Sequence, residues 1–164
     1  MSLYLLSVTL HVLAALLWLG GMFFLAAVGA PVLRRVEPPA VRAQLFRQVG
    51  ERFRAVGWVC IGVLLVTGAT NLWFRGWWGA EVWGSGAFWA SAPGRALAWK
   101  LAAVVVMVAS SALHDFVQGP RAARLDPGTP AALAARRRAA WLARVNAVVG
   151  IVLVAAAVRL ARGG

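Results

Sequence analysis

From Leu3 to Leu33 the chain carries no Asp, Glu, Lys or Arg. That run exceeds the roughly 20 residues a helix needs to cross the hydrocarbon core of a bilayer. Lipid offers backbone groups no partner, so such a run spans as a helix that satisfies its own hydrogen bonds. Within it His11, Ala15, Trp18 and Met22 recur at helical spacing, and the Gly20-Gly21 pair lets another backbone approach closely, which predicts a packed face. The segment lacks the basic start of a secretory signal, and its small-residue site near Ala30 is followed by Pro31, so it reads as a retained span.

The rest of the chain repeats the pattern. Hydrophobic residues make up 62% of the 164 and charged residues 13%, which excludes an ordinary soluble domain. A net charge of +12 would point to nucleic acid in a soluble chain. Here the arginines cluster between apolar segments, where topology and anionic lipid account for them, and no nucleic-acid partner is expected. Arg34 to Arg54 is basic and amphipathic, opens at Pro38-Pro39, and carries Val41, Leu45, Val49 and Phe53 at intervals of four; it predicts a helix along the membrane surface, able to run on into the second span. The spans are expected at about 3–33, 55–74, 96–117 and 139–160. The expected fold is all-α: one integral-membrane domain over 1–164, an up-down four-helix bundle with an amphipathic surface helix between spans 1 and 2. Six tryptophans between Trp73 and Trp99 resemble an interfacial aromatic belt. The first and third loops each carry a net charge of +4 and the middle loop +1, so the positive-inside rule puts both termini outside. Cys60 is the only cysteine, which rules out a disulfide framework within the chain.

Ionisable and amide groups inside the spans are the candidate site residues, because burying them in hydrocarbon costs several kcal/mol unless they face a partner or a cavity. Lys100, Met107 and His114 are spaced by sevens and share one stripe of a helix with Ala103, Ser110 and Ser111. Counting about 1.5 Å per residue from the centre of each span puts His11, Asn71 and Lys100 roughly 10 to 12 Å toward the outer side. Thr67 and Trp18 are expected to wall that outer pocket. The same arithmetic puts His114 about 9 Å and Arg144 about 6 Å toward the inner side, a second level shared with Asp115 and Asn146. His11 and His114 thus lie at different levels and do not suit one iron. His114-Asp115 reads as an inner polar cap and Arg144 as a residue that snorkels to headgroups. No P-loop, dinucleotide or hydrolase signature appears, and no catalytic residue is expected.

The segments Leu10-His11-Val12-Leu13-Ala14-Ala15-Leu16-Leu17-Trp18-Leu19-Gly20-Gly21-Met22-Phe23-Phe24, Val66-Thr67-Gly68-Ala69-Thr70-Asn71 and Gly94-Arg95-Ala96-Leu97-Ala98-Trp99-Lys100-Leu101 resemble the copper-resistance D (CopD) membrane domain. A more distant likeness is to HemJ-type protoporphyrinogen oxidases, which pair a first-helix histidine with a third-helix lysine and are associated with haem b. The resemblance implies copper handling or delivery in the bacterial inner membrane, with His11, Trp18, Asn71 and Lys100 as cofactor-binding positions and His11 as the metal ligand. A periplasmic copper protein or a larger membrane complex is the implied partner. Cu(I) favours sulfur ligands, and only Met1, Met22, Met107 and Cys60 supply it here. Two alternatives therefore stand beside copper: a haem b or porphyrin-binding redox protein with His11 as axial ligand, and an accessory structural subunit of a larger complex.

Overall fold

The computed structural model describes residues 2–123, 125 and 129–162. Four helices are long and apolar enough to cross a membrane, and among the described residues there is no strand. They are α1 (Leu3–Phe24), α2 (Pro39–Phe74), α3 (Ala92–Ala112) and α4 (Pro130–Ala161). The protein is an all-α, multi-pass membrane protein. Large side chains such as Leu16, Val59, Val105 and Ile151 are more than half exposed, as lipid-facing residues should be. The chain divides into two compact units, Met1–Trp83 and Gly84–Gly164.

In the first unit α1 packs against α2. Ser2 caps α1 by accepting a hydrogen bond from the Leu5 N–H at 3.2 Å, and Pro39 opens α2 at a position where a missing N–H costs nothing. The pair is antiparallel, as the contacts between the two helices demonstrate. Tyr4 meets Phe74 edge-on at 5.6 Å, the Ser7 hydroxyl reaches the Thr67 carbonyl, Trp18 lies over Gly57, and Phe53 lies over Gly21. Two of these contacts set an aromatic ring on a glycine. A Cβ at Gly57 would stand 3.4 Å from Trp18 Nε1, and one at Gly21 only 2.6 Å from the Phe53 ring. The Gly20-Gly21 pair therefore does bring a neighbour close, through Gly21; nothing lies within 4 Å of where a Gly20 Cβ would be.

The amphipathic stretch and the second span form a single unbroken helix of 36 residues, about 54 Å long. No proline interrupts it after Pro39, so its basic first half extends the span as the run-on form of the expectation has it. Arg42 pairs with Glu37 at 3.2 Å where α2 begins.

In the second unit α3 packs against α4. Ser91 caps α3 by accepting from the Gly94 N–H, and Met107 is wholly buried. The helix opens at Ala92, four residues before the expected start of the span, and α4 opens at Pro130, well before Ala139. The backbone of Arg136, Arg137 and Arg138 is accordingly helical. Alanine and arginine are strong helix formers, so the charge that marks a membrane edge does not mark a helix end. Of the expected Gly119–Arg138 loop, residues 124 and 126–128 lie outside the described residues.

Two π-helical segments, Leu25–Gly29 after α1 and Leu113–Gln118 after α3, have a common cause. Each is followed two residues later by a proline, Pro31 or Pro120. A proline ring clashes with the carbonyl four residues back, here that of Ala27 or Phe116, and each of those lies within the widened turn.

Candidate functional site

The first unit holds a polar contact between its two helices. Thr67 is buried on α2, and its hydroxyl donates to the Val63 carbonyl at 2.6 Å. His11, half-buried on α1, brings Nδ1 to 2.8 Å from Thr67 Oγ1. Ser7, one turn earlier on α1 and buried, donates to the Thr67 backbone carbonyl at 3.4 Å. A threonine in a span ordinarily satisfies itself on its own helix. Here it serves the facing helix as well, receiving one α1 residue at its side chain and another at its backbone.

The imidazole lies beside Gly68. A Cβ there would lie 3.5 Å from His11 Cε1, so the ring rests against the backbone of α2. One turn beyond Thr67 on the same helix stands Asn71, whose Oδ1 is buried and has no hydrogen-bond partner among the described residues. A buried amide oxygen left unsatisfied costs about 1 to 3 kcal/mol, which marks it as a point where a further group could bind.

Trp18 is buried, but it sits seven residues from His11, about 10 Å along α1, against Gly57. Lys100 is half-buried on α3 and belongs to the second unit. Above α2 the tryptophan-rich loop folds back on itself. Trp83 Nε1 donates to the Trp77 carbonyl at 2.8 Å, and the Arg75 guanidinium lies 5.2 Å from the centre of the Trp77 ring.

The inner-level residues fall into two groups within the second unit. His114 and Asp115 sit in the second π-helical segment, with Nδ1 and Oδ1 3.0 Å apart. Asn146, buried on α4, takes a hydrogen bond from Ser110 through Oδ1 and donates through Nδ2 to Ser111 at 3.5 Å. The Met107 carbonyl lies 3.1 Å from the Ser110 hydroxyl, a second acceptor beside its one proton. Asn146 is thus matched by hydroxyls from α3, whereas Arg144, two residues earlier, is exposed. Among the described residues no three of His, Cys, Asp and Glu group closely enough to hold a metal between them.

Ser7 escaped the sequence reading as a site residue. Its signal was the i, i+4 spacing to His11, which puts both on one face of α1.

A family model described as "Copper resistance protein D" matches residues 47–160, a stretch that includes Thr67, Asn71 and Lys100 and begins after His11. An uncharacterised protein of Aquifex aeolicus (strain VF5) is 32% identical over 155 residues, covering 94% of this chain and 92% of that one. No solved structure matches the chain.

Proposed function

The chain belongs to the copper resistance protein D family, and from that premise we propose that it handles or delivers copper in a bacterial inner membrane through a polar pocket in the outer half of the bilayer. The observation that carries the reading is the His11–Thr67 contact inside the α1–α2 hairpin. A histidine in a span is costly, and this one is oriented by a buried partner with an unsatisfied amide oxygen one turn away.

In this reading copper is cargo. His11 offers nitrogen and Asn71 offers oxygen, a pair suited to Cu(II) rather than the sulfur-seeking Cu(I). Lys100, on α3 of the second unit, contributes charge rather than a ligand. A protonated lysine repels a bare cation and attracts an anion, so it favours metal that arrives with anionic ligands and promotes release of metal that does not. The four spans act as one domain with both termini periplasmic. A periplasmic copper protein or a larger membrane complex then meets the outer face.

A second reading draws on the same nitrogen and cation. A porphyrin takes an imidazole on its iron and a cation at a propionate, and the His11 ring held against Thr67 would serve as that axial ligand. The two readings separate on His11→Ala and Lys100→Met, assayed by metal analysis and by absorbance near the Soret band. Copper handling predicts that His11→Ala lowers bound copper to background and that Lys100→Met retains or raises it. Porphyrin binding predicts a Soret band that both substitutions weaken. Wild-type levels of every bound species in both variants would refute the pocket and leave an accessory structural role.

A further inference from the structure

The geometry points to Thr67 as the positioning residue that fixes His11 in one ring tautomer and thereby makes Nε2 the nitrogen that binds metal. This rests on the reading of His11 as a ligand and deepens it to a single atom.

A threonine hydroxyl has one proton to give. Around Thr67 Oγ1 stand three groups: the Val63 carbonyl at 2.6 Å, the Leu64 carbonyl at 3.5 Å and His11 Nδ1 at 2.8 Å. The Val63 carbonyl oxygen is purely an acceptor. Without a proton between them, two oxygens 2.6 Å apart would turn lone pair against lone pair, so the hydroxyl proton belongs on the Val63 side. Thr67 Oγ1 then presents only lone pairs to His11. The 2.8 Å contact is a hydrogen bond only if Nδ1 carries the hydrogen and donates it. In a neutral imidazole the remaining lone pair is on Nε2.

The consequence is chemical as well as geometric. A histidine that ligates a metal ordinarily donates its other ring N–H to a fixed acceptor, which holds the ring and raises the basicity of the ligating nitrogen. Here that acceptor belongs to the facing helix and is itself polarised by a backbone carbonyl. The chain of bonds runs from Nδ1–H to Thr67 Oγ1 and from the Thr67 hydroxyl to Val63. The ring lies beside Gly68 of the same helix, where a Cβ would stand in ordinary van der Waals contact with Cε1. Ser7, bonded to the Thr67 carbonyl, ties the same turn of α2 to α1.

The test uses full-length protein in nanodiscs, free of metal, with 15N-labelled histidine, at about pH 8.5 where an ordinary imidazole is neutral. Long-range 1H–15N spectra distinguish a protonated Nδ1 from a protonated Nε2. The chain has only His11 and His114, and the spectrum of His11→Ala assigns them. We expect wild type and Thr67→Ser to show His11 protonated at Nδ1, and Thr67→Val to shift it toward the Nε2–H form. Cu(II) affinity should fall about 10- to 100-fold in Thr67→Val and recover in Thr67→Ser, the range typical for loss of a partner behind a metal ligand. Wild-type His11 protonated at Nε2 overturns the inference, and that spectrum decides the matter even if Thr67→Val fails to fold. An unchanged tautomer in folded Thr67→Val overturns it too. If the tautomer behaves as stated but His11→Ala binds Cu(II) like wild type, the hydrogen-bond assignment stands, the ligand reading falls, and the role of Thr67 in metal binding falls with it.

Discussion

Replacing Gly94 with alanine should damage the start of α3 far more than its small size implies. Ser91 Oγ accepts the Gly94 N–H at 3.2 Å and donates to the Phe88 carbonyl at 2.5 Å, so the preceding short helix, Gly86–Ala90, is folded directly over Gly94. A Cβ at position 94 would overlap the Phe88 carbonyl oxygen and crowd the Trp89 backbone. These are main-chain atoms held by the cap, and no rotamer change can move them aside. Loss of a serine cap costs about 0.5 to 2 kcal/mol and overpacking about 1 to 3, giving a destabilisation of about 3 kcal/mol. The matched control is Gly62→Ala, on the exposed side of α2 with nothing within 4 Å of the added carbon, where alanine should instead stabilise the helix by about 0.5 to 1 kcal/mol. Reversible unfolding in mixed SDS micelles, followed by tryptophan fluorescence, measures both variants against wild type. Equal stability for Gly94→Ala and Gly62→Ala would refute the account of the Ser91 corner.

Asn146→Ala removes the amide that accepts from Ser110 and donates to Ser111, and it should lower stability in the same assay by about 0.5 to 2 kcal/mol, the scale of interhelical hydrogen bonds in membranes; a wild-type unfolding midpoint would contradict this. With Cys60 replaced by serine, a cysteine at Ser2 should react with a membrane-impermeant thiol reagent added to the periplasmic side, and labelling only from the cytoplasm would invert the proposed topology. His11→Ala and Lys100→Met should diverge in bound copper, the first falling to background and the second holding.

The spans were legible because hydrocarbon imposes one rule on every residue within it, and the uncharged run from Leu3 to Leu33 obeys it openly. Helix ends were less legible. Charge reports depth, whereas the start of α3 is set by Ser91 and the start of α4 by Pro130, both outside the expected spans. Of the stripe from Lys100 to His114, Ala103, Met107, Ser110 and Ser111 are buried, whereas Lys100 and His114 at its ends are partly exposed. What α1 buries also came out close: Trp18 as expected, with Ala14 in place of Ala15 and His11 half-buried. Periodicity gives the face of a helix, but not which residue of the neighbouring helix stands opposite. That Thr67 meets His11, and that Trp18 meets Gly57, are facts of register between two helices.

Register also predicts which substitutions at the hairpin's glycines matter to the site, and it ranks them by what the added side chain meets and not by distance from the imidazole. Gly68 adjoins the imidazole, yet a Cβ there would stand 3.5 Å from His11 Cε1, an ordinary contact, so Gly68→Ala should leave copper binding near wild type. Gly57 lies eleven residues earlier, about 16 Å along α2. Its missing side chain receives Trp18, and even a Cβ would come within 3.4 Å of the indole nitrogen. Gly57→Leu adds three more carbons at that contact, forcing the buried Trp18 ring out or the helices apart. Two antiparallel helices packed side by side act as stiff rods, so a separation imposed at Trp18 is felt two turns away, where His11 reaches Thr67 across 2.8 Å. A hydrogen bond lengthened by even 1 Å ceases to be one. Gly57→Leu should therefore release His11 from Thr67 and weaken copper binding about as much as Thr67→Val does. Copper affinity and the tryptophan emission maximum, measured on Gly68→Ala and Gly57→Leu together, test the ranking. If the neighbour of the imidazole proves critical and the distant glycine proves silent, the hairpin does not transmit register to the site and the coupling argued here is wrong.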